Sequence, residues 1–233
     1  MNRRVIIPPV SLPLLILLAF LALIVFVFFS GVVLAAFGKL GIPPEVAFTL
    51  FIFALVGSLI NIPIAEETTY EPVLALREVR FFGIPYPVPY FEWAERKTVI
   101  AVNVGGALIP LSIALYEIFR IAYSGNFPLL LNTLLAVLAA ALVSNAVARP
   151  VKGLGIAMPM FVPPIIAVLL GWLLGDGNPN AVAYVSGTLG VLIGADLMNW
   201  NKIKHLGAPM VSIGGAGTFD GVFLAGIIAV LLV

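Results

Sequence analysis

The sequence predicts an all-α fold, a polytopic membrane helix bundle of about seven transmembrane helices. Three observations predict it. The chain is 62% hydrophobic and only 10% charged, with a mean hydropathy of +1.16; a soluble domain of 233 residues cannot hide that much apolar surface. Apolar runs of about 18 or more residues recur along it. The basic residues gather in alternate connections between those runs, which is the positive-inside pattern.

The expected spans are Ser11–Phe37, Glu45–Ala65, Thr98–Phe119, Pro128–Ala148, Pro159–Gly175, Ala181–Trp200 and Met210–Val233. The first follows "MNRR" and superficially resembles a signal peptide. It is longer than the roughly 7–15 residues of an h-region, so it reads as a retained helix. The fifth is short for a hydrocarbon core of about 30 Å and carries Pro163-Pro164 near its start.

An odd number of spans puts the termini on opposite sides. With the N-terminus inside, the cytoplasmic segments hold Arg3, Arg4, Arg77, Arg80, Arg96, Lys97, Arg149, Lys152, Lys202 and Lys204, and Lys39 and Arg120 fall outside. The reading is therefore N-terminus in and C-terminus out. The chain is expected to form a single transmembrane domain, residues 1–233, in the cell membrane.

Between the second and third spans lies a cytoplasmic loop, residues 66–97, rich in proline and aromatic residues. In "REVRFFGIPYPVPYFEWAERK", Pro85, Pro87 and Pro89 alternate with Tyr86, Val88 and Tyr90. Proline at every second position forbids a helix and suits an extended run. Such a segment either lies at the membrane interface, where Tyr and Trp settle, or offers a strand to a partner peptide.

Composition excludes several chemistries. The net charge of +1 argues against nucleic acid. With no cysteine, there is no disulfide, thiol catalysis or thiolate metal site. The lone His205 sits in a loop with no zinc-ligand spacing. No metal and no cofactor is expected.

Ionisable residues inside spans are expensive and mark function by default. Asp196, in "LIGADLMNW", lies near the cytoplasmic end of span six, and Asp220, in "GGAGTFDG", lies within span seven. No basic residue within a span neutralises them. Burial raises a carboxyl pKa and a neighbouring carboxylate raises one of the two further, so either each Asp is protonated, or water reaches it, or the two share a proton. In such a pair one carboxylate activates water while the other donates to a carbonyl. Asp196 reads as the shallower, so a pair requires span six to run inward past Trp200 or the Gly214–Gly217 region to unwind.

Gly217, three residues before Asp220, permits close approach of another backbone, and Thr218 can bond back to its own helix. Asn61, Pro63, Asn103 and Asn145 fall on the same cytoplasmic half and are candidate supporting residues, or interhelical packing bonds. Gly190 and Gly194 form a small-residue face turned away from Asp196.

At "GADLMNW" and "GGAGTFDG" the chain resembles a family of archaeal and bacterial membrane proteins with no assigned function. "NIPI" at Asn61–Ile64 is a further shared stretch. The layout is also similar to the presenilin and signal-peptide-peptidase group of intramembrane aspartyl proteases. That group carries one catalytic Asp on span six and the other on span seven in a Gly-x-Gly-Asp motif. The resemblance implies catalytic roles for Asp196 and Asp220. Here Phe219 replaces the glycine before Asp220, Ala195 rather than tyrosine precedes Asp196, and a Pro-Ala-Leu motif on a ninth span has no counterpart among seven.

Three function classes fit these residues. The first is an intramembrane aspartyl endopeptidase acting on a transmembrane peptide. The second is a proton- or cation-coupled transporter or channel. The third is a non-catalytic membrane scaffold. Membrane lipid is an expected partner in each; the oligomeric state is open.

Overall fold

A computed structural model describes residues 12–151, 153, 155–203, 206–215 and 221–233. Three early elements set the pattern: α1 (Leu12–Lys39), α2 (Pro44–Gly57) and a long hairpin of β1 (Asn61–Phe81) and β2 (Ile84–Asn103). A π-helical turn, Val104–Leu108, leads into α3 (Ile109–Tyr123), followed by α4 (Phe127–Val147). A small ribbon of β3 (Arg149–Val151) and β4 (Gly155–Ala157) precedes α5 (Val162–Leu174) and α6 (Pro179–Val191). After a second π turn, Leu192–Asp196, come a 3-10 turn, Leu197–Asn199, and α7 (Trp200–Ile203). Then β5 (Met210–Ile213) and α8 (Gly221–Leu232) complete the described chain.

The protein is a mostly helical membrane protein. Among the described residues four helices are long and apolar enough to cross a membrane: Pro13–Lys39, Val104–Tyr123, Phe127–Val147 and Pro179–Ile203. Pro44–Gly57, Val162–Leu174 and Gly221–Leu232 are apolar but shorter. Helix α6 is the core. Every residue from Ala181 to Val191 is buried, and α3, α4, α5 and α8 all pack on it. A side chain at Gly190 would run into Ala140 of α4, and one at Gly194 into the Ala141 carbonyl, so α4 and α6 meet backbone to backbone.

Polar contacts fasten one end of this bundle. Arg120 Nη1 donates to the Leu40 carbonyl at 2.6 Å and Asn180 Nδ2 to the Lys39 carbonyl at 3.2 Å. Lys39 Nζ donates to the carbonyls of Val230 and Leu231, at 3.2 and 3.0 Å, in the last turn of α8. The hairpin, both π turns and Asp196 lie at the other end.

The all-α expectation is corrected by three strands at that end. β1 and β2 pair antiparallel from Asn61↔Asn103 to Phe81↔Ile84, with a bulge between Pro63 and Ala65, and β5 joins β2 in parallel, Val99↔Met210 to Val102↔Ile213. The order is β1-β2-β5. Each strand took residues from an expected span. Span two stops at Gly57, span three begins six residues inside β2, and span seven divides into β5 and α8. The physical reason is that short apolar runs such as "TVIAVN" and "MVSI" have the hydropathy of a helix but the β-branching of a strand. The loop 66–97 is extended, as its prolines require, and it pairs with itself. Phe82 and Gly83, at φ of 50 and 81°, make the two-residue turn that favours a twisted hairpin.

Candidate functional site

The site is built where α6 loses its regular winding. The π turn that ends at Asp196 leaves backbone carbonyls without helical donors, and such bulges recur at functional positions. Two amides answer them. Asn199 Nδ2 donates to the carbonyls of Gly194 at 3.1 Å and Ala195 at 2.9 Å. Asn145 Nδ2, reaching from α4, donates to the Gly194 carbonyl at 3.1 Å. Asn199 is fully buried. The turn that presents Asp196 is thereby held from both sides.

Asp196 is half-buried, and its Oδ2 accepts the backbone N–H of Gly214 at 2.9 Å. That amide has a particular place. Val99 N–H donates to the Pro209 carbonyl at 3.0 Å, which fixes the alternation of β5. In a parallel ladder alternate residues turn their amides toward the neighbour. Val211 and Ile213 face β2, and Met210 and Ser212 face outward, with Gly214 next in that series. The Asp196 carboxylate therefore caps the open edge of the sheet. Gly214 and Gly215, at φ of 77 and 84°, end the strand in a conformation only glycine adopts freely. A Cβ on Gly214 would lie 2.7 Å from the Ala107 nitrogen, so the turn sits directly on the start of α3.

A second polar joint ties the hairpin base to β5. Asn61 Oδ1 accepts from Ser212 Oγ at 2.6 Å and from Asn103 Nδ2 at 3.1 Å. Asn103 Nδ2 also donates to the Ser58 carbonyl at 2.8 Å, and its Oδ1 accepts the Gly106 N–H at 2.7 Å, capping the first π turn. One buried amide thus links α2, the hairpin and α3.

Beside Asp196 is a cavity of about 260 Å³. Its walls are largely apolar: Ile156, Met158 and Met160 from the β4 side, Pro163 of α5, Val191 and Ala195 from α6, and Gly221, Val222 and Leu224 at the start of α8. Asp196 is the carboxylate among its lining residues. Among the described residues no group of three or more His, Asp or Glu side chains is placed to hold a metal.

The sequence-predicted residues divide accordingly. Asp196 is on the cavity wall, Asn145 supports its turn, and Asn61 and Asn103 organise the strand that meets it. Pro63 lies on the exposed outer strand opposite Ala101 and does not line the cavity. Asp220, Gly217 and Thr218 lie outside the described residues. Gly214 and Gly215 are in a turn and not a helix, and the chain continues past Trp200 as the short α7. Asn199 and Ser212 were not singled out in the sequence. The signal for Asn199 was an amide three residues after the acid in "DLMNW". Glu117 of α3 is fully buried and paired with Arg120 at 2.7 Å.

No curated protein and no solved structure matches this chain. Residues 55–232, which include the hairpin, both π turns, β5 and α8, match the family described as "Protein of unknown function (DUF1614)". That match covers well over half of the sequence, and the chain belongs to this family.

Proposed function

We propose that this protein is an intramembrane aspartyl hydrolase that cleaves an extended segment of a membrane polypeptide, with Asp196 and Asp220 as its carboxylate pair. The observation that carries the reading is the position of Asp196. Its carboxylate sits at the open edge of β5 and on the wall of a cavity that Gly221 also lines. Asp220 is the residue that precedes Gly221 in sequence. An extended peptide added to the outer edge of β5 would be met by the backbone amide and carbonyl of Met210 and the amide of Ser212, whose carbonyl already accepts the Gly215 N–H at 3.2 Å. Its next peptide group would lie against Asp196.

In this reading the chemistry is that of a shared-proton pair. The ionised carboxylate takes a proton from water, and the water oxygen bonds to the scissile carbonyl carbon. The protonated carboxyl donates to the carbonyl oxygen. The tetrahedral adduct then collapses: one of its hydroxyls returns a proton to the ionised carboxylate as the carbonyl reforms, the C–N bond breaks, and the amine leaves with the proton held by the other carboxyl, which restores the singly protonated pair. The largely apolar walls favour one shared charge over two. The same reading takes all seven apolar helices as membrane-crossing or membrane-embedded, N-terminus in and C-terminus out, in the cell membrane. The alternation of helix ends between the Lys39–Arg120 end and the Asp196 end supports it.

One observation favours the alternative of ion-coupled transport. The buried Glu117 is about 15 Å along α3 from Ala107, which abuts the Asp196 end, so ionisable groups occupy both halves of the bundle. The experiment that separates the two uses purified protein in liposomes with a fluorogenic transmembrane peptide. Asp196→Asn and Asp220→Asn are each expected to abolish cleavage with the fold intact. Cleavage retained by either variant rejects the pair. PH-driven ion flux that both substitutions remove, with no cleavage by the unmodified protein, favours transport.

A further inference from the structure

We infer that the outer edge of β1 is a self-association surface, on which a second copy of this chain pairs its own β1 antiparallel to form a dimer. The inference starts from the prolines. The two-residue turn makes Phe81 and Ile84 a hydrogen-bonded pair, so the next pair, Arg80 and Pro85, points its backbone groups away from the ladder. Pairs then alternate. Pro87 opposite Glu78, Pro89 opposite Leu76 and Pro72 opposite Trp93 all share that outward parity. Each proline therefore sits where its missing N–H costs the hairpin nothing.

The two edges are consequently unequal. From Pro85 to Pro89 the β2 edge presents no outward donor, which blocks strand addition. Nearer its base, β2 is covered by β5 from Val99 to Val102, and Phe91, Trp93, Glu95 and Lys97 between these stretches keep their outward amides. On β1 the outward positions Thr68, Tyr70, Leu74, Leu76, Glu78 and Arg80 keep their amides, interrupted at Pro72. A two-stranded ribbon of this length is marginal alone, and Tyr70, Leu74 and Leu76 along its open edge are 67–70% exposed.

A second copy fits this edge for two reasons. Pairing β1 with β1 gives the order β5-β2-β1-β1-β2-β5, in which the only wholly uncovered strand edge of the hairpin is used and the β2 edges are blocked by prolines near the turn and covered by β5 at the base. The charges also complement. With Val73 on the two-fold axis, Arg80 stands opposite the second copy's Glu66 and Leu76 opposite its Tyr70. No like charges are then directly opposed, and opposite charges in such pairs are stabilising. Copies in one membrane share an orientation, so the two-fold axis lies along the membrane normal and the hairpins lie parallel to the bilayer.

This inference is independent of the hydrolase reading. The chain has no cysteine, so single thiols can be placed at will. Val73→Cys and, as a control at the turn, Phe82→Cys are reconstituted at low density in phosphatidylcholine–phosphatidylglycerol liposomes and oxidised mildly. Val73→Cys is expected to give a disulfide-linked dimer and Phe82→Cys is not, since only the first brings two like positions within the ~4.4–6.8 Å Cα separation a disulfide allows. In the Val73→Cys background, Leu74→Pro with Leu76→Pro copies the β2 pattern onto β1 and leaves the inner ladder intact. It should lower cross-linking about tenfold or more through lost edge hydrogen bonds. Glu66→Arg should also lower it, and adding Arg80→Glu should restore it, which separates pairing from misfolding. A Val73→Cys protein that remains monomeric, cross-linking equal to that of Phe82→Cys, or charge reversal without effect each overturns the inference.

Discussion

The carboxylate of Asp196 accepts the backbone N–H of Gly214 at 2.9 Å, across eighteen positions of sequence. The contact joins the irregular end of the central helix to the irregular start of the last segment, so neither can shift without the other. A hydrogen bond to a charged acceptor contributes about 1.5–3 kcal/mol, and a neutral one about 0.5–1.5. Asp196→Asn keeps an acceptor and should lower stability by about 1 kcal/mol or less, whereas Asp196→Ala strands the Gly214 amide and should cost about 1–3 kcal/mol. Unfolding in mild detergent measures both; equal effects would show that the Gly214 bond is not what Asp196 contributes to the fold.

Asn199 is expected to matter more than Asn145. Asn199 serves two carbonyls from a buried position, and Asn145 serves one. Asn199→Ala should destabilise by about 2–3 kcal/mol and Asn145→Ala by about 1, since an unsatisfied buried acceptor carries its desolvation penalty. If the order reverses in thermal unfolding, the π turn is held by something other than these amides.

Two glycine substitutions should part company. Gly194→Ala drives a methyl into the Ala141 carbonyl and should cost about 1–3 kcal/mol by overpacking. Gly38→Ala on α1 meets nothing within 4 Å and should be neutral or stabilising by up to about 1 kcal/mol. Melting temperatures of the two variants side by side decide the matter.

The Glu117–Arg120 pair is asymmetric, because Glu117 is wholly buried and the Arg120 side chain is 36% exposed. Arg120→Leu leaves a buried carboxylate without its partner, and removing one member of a buried pair costs about 3–5 kcal/mol. Glu117→Gln leaves a guanidinium that can still reach water and the Leu40 carbonyl, so it should cost clearly less. A larger loss for Glu117→Gln in chemical denaturation would contradict this account.

Hydropathy alone carried the helices. The runs over Leu12–Lys39 and Phe127–Val147 are too long and too apolar for another fold to hold. It failed at "NIPI", "TVIAVN" and "MVSI", because a four- to six-residue apolar run has too few turns to declare its period. The proline alternation at Pro85, Pro87 and Pro89 did announce extended chain. Its partner was not legible, since pairing depends on a register summed over forty residues, not on any local pattern. Asp196 was legible as an isolated acid in an apolar span. Its contact with Gly214 was not, since two residues eighteen apart meet only after β5 has joined β2. The burial of Glu117 was not legible either, since it comes from neighbouring helices, which sequence position does not reveal.

The lysine at the end of α1 sets a depth gauge for the molecule. Lys39 holds the last carbonyls of α8, and a lysine ammonium settles near the level of the headgroups. From Leu231 back to Gly221 at the cavity α8 covers ten residue steps, about 15 Å. If α8 stands in the membrane as proposed, a hydrocarbon slab of about 30 Å leaves about 15 Å between that point and the opposite surface. Under that arrangement, water entering beside the hairpin would have about half of the slab to cross before it met the Asp196 carboxylate.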